Sequence, residues 1–239
     1  SREVTVMGIE RDANSNIYTI GRLRGIADFD LASAGGTLSS PSVSIGDPYI
    51  VKYDSAGNFL WGDIITNGNS SDGRSVSIAL DNAGNAYVVG DTNIGFSGGG
   101  FLAKYSPTGT RIFRIGIGGY PGIESEVVSV DNAGGVYIGY KFDGTVDFDP
   151  GPGVVNRTAA GSADNYLAKY SSSTGAFQWV KTFGTGMAFR DIEYDNLTNT
   201  LYTFGSFSGT QDFNPDGGVN NLTTPANSFP IYLSFACAG

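Results

Sequence analysis

Short runs of alternating apolar and polar residues, each closed by a polar turn, recur along the whole chain. In the clearest stretch they fall at Ser75–Leu80, Ala86–Gly90, Phe101–Tyr105 and Arg111–Gly116. Alternation bounded by Gly, Asn and Asp is the pattern of strands joined by hairpins. The runs also repeat in detail. An Asp opens a turn, a Tyr follows in a short strand and a Gly ends it: Asp12…Tyr18-Thr-Ile-Gly21, Asp81…Tyr87-Val-Val-Gly90, Asp131…Tyr137-Ile-Gly139 and Asp195…Tyr202-Thr-Phe-Gly205.

A second motif follows the first. Tyr49-Ile-Val-Lys52-Tyr53 leads through Gly57 to Trp61, Phe101-Leu-Ala-Lys104-Tyr105 through Gly109 to Phe113, and Tyr166-Leu-Ala-Lys169-Tyr170 through Gly175 to Trp179. Each reads as a hairpin with Gly in the left-handed turn position and an aromatic placed to pack on the neighbouring unit. Four antiparallel strands per unit, repeated, predict an all-β fold: a β-propeller of four units. The units are 1–72, 73–123, 124–189 and 190–239. A two-sheet sandwich also spaces short strands with turns, but has no reason to repeat the same residues at the same offsets.

Units one, three and four carry an insertion between their second and third strands. It reads Gly25-Ile-Ala-Asp28-Phe29-Asp30, Gly144-Thr-Val-Asp147-Phe148-Asp149-Pro150-Gly151 and Gly209-Thr-Gln-Asp212-Phe213-Asn214-Pro215-Asp216-Gly217. Insertions at one point of a repeat map to one face of the array, often the face that meets partners.

Together these motifs resemble the bacterial β-propeller repeat family abbreviated SBBP and, more distantly, NHL repeats. The resemblance covers essentially the whole chain. It implies a propeller, commonly within secreted or surface proteins of bacteria, including cargo of the Bacteroidetes secretion route, and hence an extracellular or cell-surface location. It implies no activity, because the family shares no catalytic residues. The last unit departs from the pattern: Ile231-Tyr-Leu-Ser-Phe235-Ala-Cys237 lacks the Lys-Tyr pair, and the chain stops before a fourth strand. Either that blade is incomplete or the sequence is a segment of a larger propeller. The absent initiator Met and signal peptide fit a mature or trimmed segment. An open edge at Tyr232–Ala236 would invite pairing with another chain or with further repeats.

Composition narrows the chemistry. With Lys+Arg 14 against Asp+Glu 23 the net charge is −9, which disfavours nucleic acid as a partner. No apolar run approaches a membrane span. The single Cys237 excludes an internal disulfide and reads as a small buried hydrophobe. The chain has no His, which rules out a Ser-His-Asp triad, a Cys-His pair and any His-ligated metal within it. Carboxylate catalysis remains, yet Asp28/Asp30, Asp147/Asp149 and Glu124/Glu126 sit too close in sequence to approach a sugar from two sides. Asn69, Asn156, Asn196 and Asn221 begin glycosylation sequons of the sort an Asn/Ser/Thr-rich chain produces by chance.

The insertions suit calcium better, since hard cations take several oxygens at alternate positions. Asp212, Asn214 and Asp216 provide the best set and Asp147 with Asp149 a shorter one; Thr223 stands where an EF-hand places its bidentate Glu. The competing account is a Pro-Gly turn whose carboxylates cap backbone N–H groups. Lys52, Lys104 and Lys169 with their Tyr neighbours read as structural, their stems covering apolar surface. The function expected is a non-catalytic binding or scaffold module with a protein or glycan ligand on the insertion face. The alternatives are a lectin-like glycan binder and a carboxylate-dependent polysaccharide hydrolase or lyase.

Overall fold

A computed structural model describes residues 3–30, 32, 35–42, 46–66, 73–92, 99–118, 126–214, 218–224 and 229–236, the last stretch as backbone. Among them there are strands and no helix. The first unit comprises β1 (Glu3–Arg11), β2 (Ile17–Arg24), the short β3 (Ile26–Asp28) and β4 (Thr37–Ser39), then β5 (Asp47–Tyr53) and β6 (Phe59–Ile64). The second has β7 (Arg74–Leu80), β8 (Ala86–Asp91), β9 (Gly100–Tyr105) and β10 (Arg111–Ile117), within a residue of the expected bounds. The third contains β11 (Val127–Val130), β12 (Gly135–Phe142), β13 (Thr145–Asp147), β14 (Asn156–Thr158), β15 (Asp164–Ser171) and β16 (Phe177–Phe183). The fourth contains β17 (Met187–Asp195), β18 (Thr200–Phe207), β19 (Thr210–Asp212), β20 (Asn221–Thr223) and β21 (Phe229–Ala236).

Each unit folds into one antiparallel sheet. The orders are β1-β2-β5-β6, β7-β8-β9-β10, β11-β12-β15-β16 and β17-β18-β21. Three sheets have four strands; the fourth has three, leaving β21 at its edge among the described residues. The insertions form separate two-stranded hairpins, β3-β4, β13-β14 and β19-β20, a detail their sequence signature does not announce.

Repeated residues hold repeated places. Tyr18, Tyr87 and Tyr137 pair in register with Lys52, Lys104 and Lys169, and Tyr202 with Ser234. The first three Tyr are fully buried, whereas Tyr202 is half-buried. Gly57, Gly109 and Gly175 do turn through positive φ, at 87°, 88° and 74°. The Gly that ends the first motif has a different cause. In β1, β7 and β17 a bulge leaves an unpaired residue next to the partner of Gly21, Gly90 and Gly205. The bulged backbone comes so close that a Cβ would meet a carbonyl oxygen at 1.9, 2.0 and 2.2 Å respectively. Only Gly fits under such a bulge.

Sheets stack face to face. β1 packs on β7, β7 on β11 and β11 on β17, so the first strands lie side by side. Most of the core lies between sheets. Tyr18, Ile20 and Ile50 of the first meet Ile78, Val88 and Phe101 of the second. Tyr87 and Val89 pack with the third unit's aromatics, and Val127, Tyr137 and Leu167 with Phe189, Ile192 and Leu201 of the fourth.

Candidate functional site

Two sets of repeated polar residues could carry function, and the fold places them differently. The first set is Asp, Tyr and Lys. Asp12 Oδ1 accepts the N–H groups of Asn14 and Asn16, both at 2.9 Å, while Oδ2 takes Asn16 Nδ2 at 2.8 Å. Lys52 Nζ lies 3.2 Å from Asp12 Oδ2, 4.6 Å from the Tyr18 ring centre, and donates to Pro107 O of the next unit at 3.2 Å. Both charged side chains are almost wholly buried. Burial opposes ionisation of Asp12, but the Asn16 hydrogen bonds and the Lys52 ammonium outweigh it and hold the carboxyl below its usual range.

The third unit repeats this. Asp131 accepts from Ala133 N, Gly135 N and Tyr137 Oη and pairs with Lys169 at 3.2 Å. In the second, Tyr87 Oη donates to Asp81 Oδ2 at 3.0 Å and Lys104 Nζ reaches Ser172 O of the following unit at 2.9 Å. The aromatic across from each Lys completes the joint. Trp61 stacks on Tyr105 of the next sheet with 5.8 Å between centres and donates Nε1 to Pro107 O at 3.0 Å. Trp61, Phe113 and Trp179 hold corresponding places and are half-buried, since they lie on outer strands with one flank in solvent. The Lys, Tyr and Asp of these joints are interior fastenings, not an exposed binding row.

The second set lies in the insertion hairpins. Asp147 Oδ1 accepts the N–H of Asp149 at 3.1 Å and of Val155 at 2.8 Å; Asp149 Oδ1 accepts Gly151 N–H at 2.8 Å. Asp212 Oδ1 takes the N–H groups of Asn214 and Asn220, both at 2.9 Å, and these bonds hold its carboxyl below the usual range. Asp28 does the same for Asp30 N–H at 3.0 Å. The Phe between them points inward, Phe148 and Phe213 being buried and Phe29 packing on Tyr49. Each motif therefore anchors its hairpin by a Phe and closes it by a carboxylate. Asp147 and Asp149 share one loop, Asp212 and Asn214 another, and Asp216 lies outside the described residues. No group of three or more His, Cys, Asp or Glu suited to a metal occurs among the described residues. Glu124, Asn69 and Cys237 also lie outside them.

A cluster that the motifs do not reveal sits between the second and third units. Arg74 pairs with Asp91 across β7 and β8 at 3.2 Å. Buried Glu126 joins them: loss of hydration first, then the nearby Asp91 charge, outweigh help from Tyr140 and Arg74 and push its carboxyl up to about 7. The sequence clue was present in the strand-end pair Arg74 and Asp91, but only register brings those ends together. Finally, the first strands of all four sheets line a cavity of about 500 Å³ edged by Glu10, Arg11, Asp191 and Glu193. Burial, then repulsion from Asp191 and Glu10, raises the Glu193 carboxyl. No helix among the described residues is long and apolar enough to cross a membrane.

Residues 61–97 match the family described as a β-propeller repeat, SBBP. This segment runs from Trp61 through β7 and β8 and contains the Asp81-to-Gly90 motif that the other units repeat. No curated protein matches the chain.

Proposed function

We propose that the four sheets are blades of a β-propeller, whole or part of a larger ring, and that the chain is a non-catalytic binding or scaffold module of an extracellular or cell-surface bacterial protein. The matched repeat supports the architecture, as do first strands gathered around one cavity. The observation that carries the functional reading is the state of the insertion hairpins. Each is anchored at its base, yet Ile26, Val154, Val219 and Leu222 stand exposed on them or their connecting loops. Large apolar side chains exposed on braced hairpins support contact with a partner there, while the recurring charged residues are engaged in blade joints and turns.

Screening the protein against bacterial surface polysaccharides and envelope proteins tests this reading. The expected result is a ligand bound without turnover, whose binding is lost in a V154S/V219S/L222S variant that melts like the parent. Hydrolysis or elimination of a polysaccharide, abolished by Asp149→Asn, would overturn it in favour of the carboxylate enzyme.

A further inference from the structure

The Asp turns lie at the end of the sheets opposite the insertions, since β2, β12 and β18 each run from an Asp turn to an insertion hairpin. Between the third and fourth units these turns are bridged: Asn196 Oδ1 accepts the N–H of Asn132 at 2.8 Å. Both residues directly follow the Asp of their turn, Asp195 and Asp131. The first and second units place Ala13 and Asn82 at those two positions. Among the described residues no hydrogen bond joins them.

A cleft of about 270 Å³ opens there instead. Its lining divides into a buried floor and an exposed rim. On the floor, Asp12 and Lys52 are paired with each other, and Lys52 also donates to Pro107 O. Tyr18 Oη donates to Gly84 O at 3.0 Å, so the joint is fastened without help from the rim. On the rim stand Ala13, Asn14 and Asn82, all exposed. The two carboxamides and the Ala13 N–H have no hydrogen-bond partner among the described residues.

The lining decides the chemistry of an occupant. It sets two carboxylates, Asp12 and Asp81, against two cations, Arg11 and Lys52, and so favours neither sign of charge. A carboxamide both donates and accepts hydrogen bonds, as a hydroxyl group does. Half-buried Leu80 and Pro107 add apolar wall. The volume stands near the lower end for small-molecule sites, room for one ring. We propose that this cleft binds one unit of a neutral saccharide. Its hydroxyl groups exchange hydrogen bonds with Asn14, Asn82 and the Ala13 N–H, and its C–H groups rest on Leu80 and Pro107. The joint between the third and fourth units is closed to such a ligand, because Asn196 already occupies the N–H that the sugar would take. The site does not depend on what the insertion hairpins bind.

The test follows amide resonances of the whole chain during titration with glucose, galactose, mannose and N-acetylglucosamine. At least one sugar should shift the Ala13 backbone amide and the Asn14 and Asn82 side-chain amides saturably. Asn82→Ala removes an exposed carboxamide without a partner, so the melting temperature should hold. Binding should weaken about tenfold, as loss of one hydrogen-bonding group does. Asn196→Ala in the closed joint should leave binding unchanged, and so should V154S/V219S/L222S. Four sugars that move none of the three resonances overturn the proposal, as does binding of undiminished strength in Asn82→Ala. Glucuronate held more tightly than glucose, or galactosamine more tightly than galactose, would show that charge governs the cleft and overturn it too. Shifts abolished by V154S/V219S/L222S would move the sugar to the insertion hairpins, against the proposal.

Discussion

The joint between units and the insertion hairpin both repeat an Asp beside an aromatic residue, yet they put that Asp to opposite uses. Asp12 is buried against Lys52, and the same Lys reaches across to the next sheet. Asp147 is exposed and holds only its own loop, through Asp149 and Val155. The distinction lies in what surrounds the carboxylate. Where two sheets close over it, an unpaired charge would be costly and a Lys must accompany it. Where one side stays open to water, backbone N–H groups suffice and the outer surface is left available to a partner. Recurrence of a polar residue is therefore no measure of its function.

The largest effect should come from breaking a joint. Lys52→Met leaves Asp12 buried without its cation and Pro107 O with the Trp61 indole but not the ammonium as donor, and should cost about 3 kcal/mol, the lower end for orphaning one partner of a buried pair, because the turn carrying Asp12 reaches solvent. Urea unfolding measures it. A Lys52→Met protein as stable as the parent would place the repeated Lys in the same class as the loop carboxylates and erase the distinction.

Much of this contrast could be read before any coordinates. Strand positions and the left-handed Gly57, Gly109 and Gly175 follow from local alternation and turn chemistry, which the repeat states several times over, whereas the pairing of Tyr18, Tyr87 and Tyr137 with Lys52, Lys104 and Lys169 emerges only from strand register. The reason for Gly21, Gly90 and Gly205 was hidden, because a bulge is a property of two strands in register and not of one. The half-burial of Trp61 and Trp179 was hidden too: sequence marks a large aromatic, but sheet order decides how much of its rim meets solvent. Glu126 was visible only as half of a weak carboxylate pair with Glu124. Its actual partners, Arg74 and Asp91, come from the preceding unit, and their meeting depends on how two sheets stack.

That buried cluster supplies the second test, intermediate in size. Unfolded, the Glu126 carboxyl titrates near 4.5; folded, near 7. Between those values the folded state holds a proton that the unfolded state has released, so stability falls as pH rises through this window and levels off above it. At about 1.4 kcal/mol per pH unit the loss amounts to about 3 kcal/mol at most, shared with Arg74, Asp91 and Tyr140 around it. Glu126→Gln keeps the shape and removes the titration. Its advantage over the parent should therefore grow from pH 5 to pH 8 in parallel denaturation series. Parallel curves at every pH would mean that the Arg74 charge compensates Glu126 fully, as Lys52 does for Asp12.

The smallest effect belongs to the insertion loops, where the contrast is easiest to sharpen. Asp149 folds over its own loop: a Cβ on Gly153 would lie 2.1 Å from its Oδ2, and its Oδ1 closes the turn at Gly151. Asn can accept the same N–H, so Asp149→Asn should move the melting temperature by no more than about 2 °C, with Asp212→Asn behaving likewise. Calcium is the competing role for these oxygens, and it makes a different forecast. A cation held by the folded state alone would raise the melting temperature with calcium concentration, most through Asp212 and Asn214, less through Asp147 and Asp149, and least through Asp28 and Asp30. With two N–H donors turned onto Oδ1 of both Asp147 and Asp212, turn closure alone accounts for these motifs, and melting curves in calcium and in chelator should coincide. A calcium-dependent rise that disappears in Asp212→Asn would assign the fourth hairpin a metal, and the exposed loops would then carry charge for a purpose the buried joints do not share.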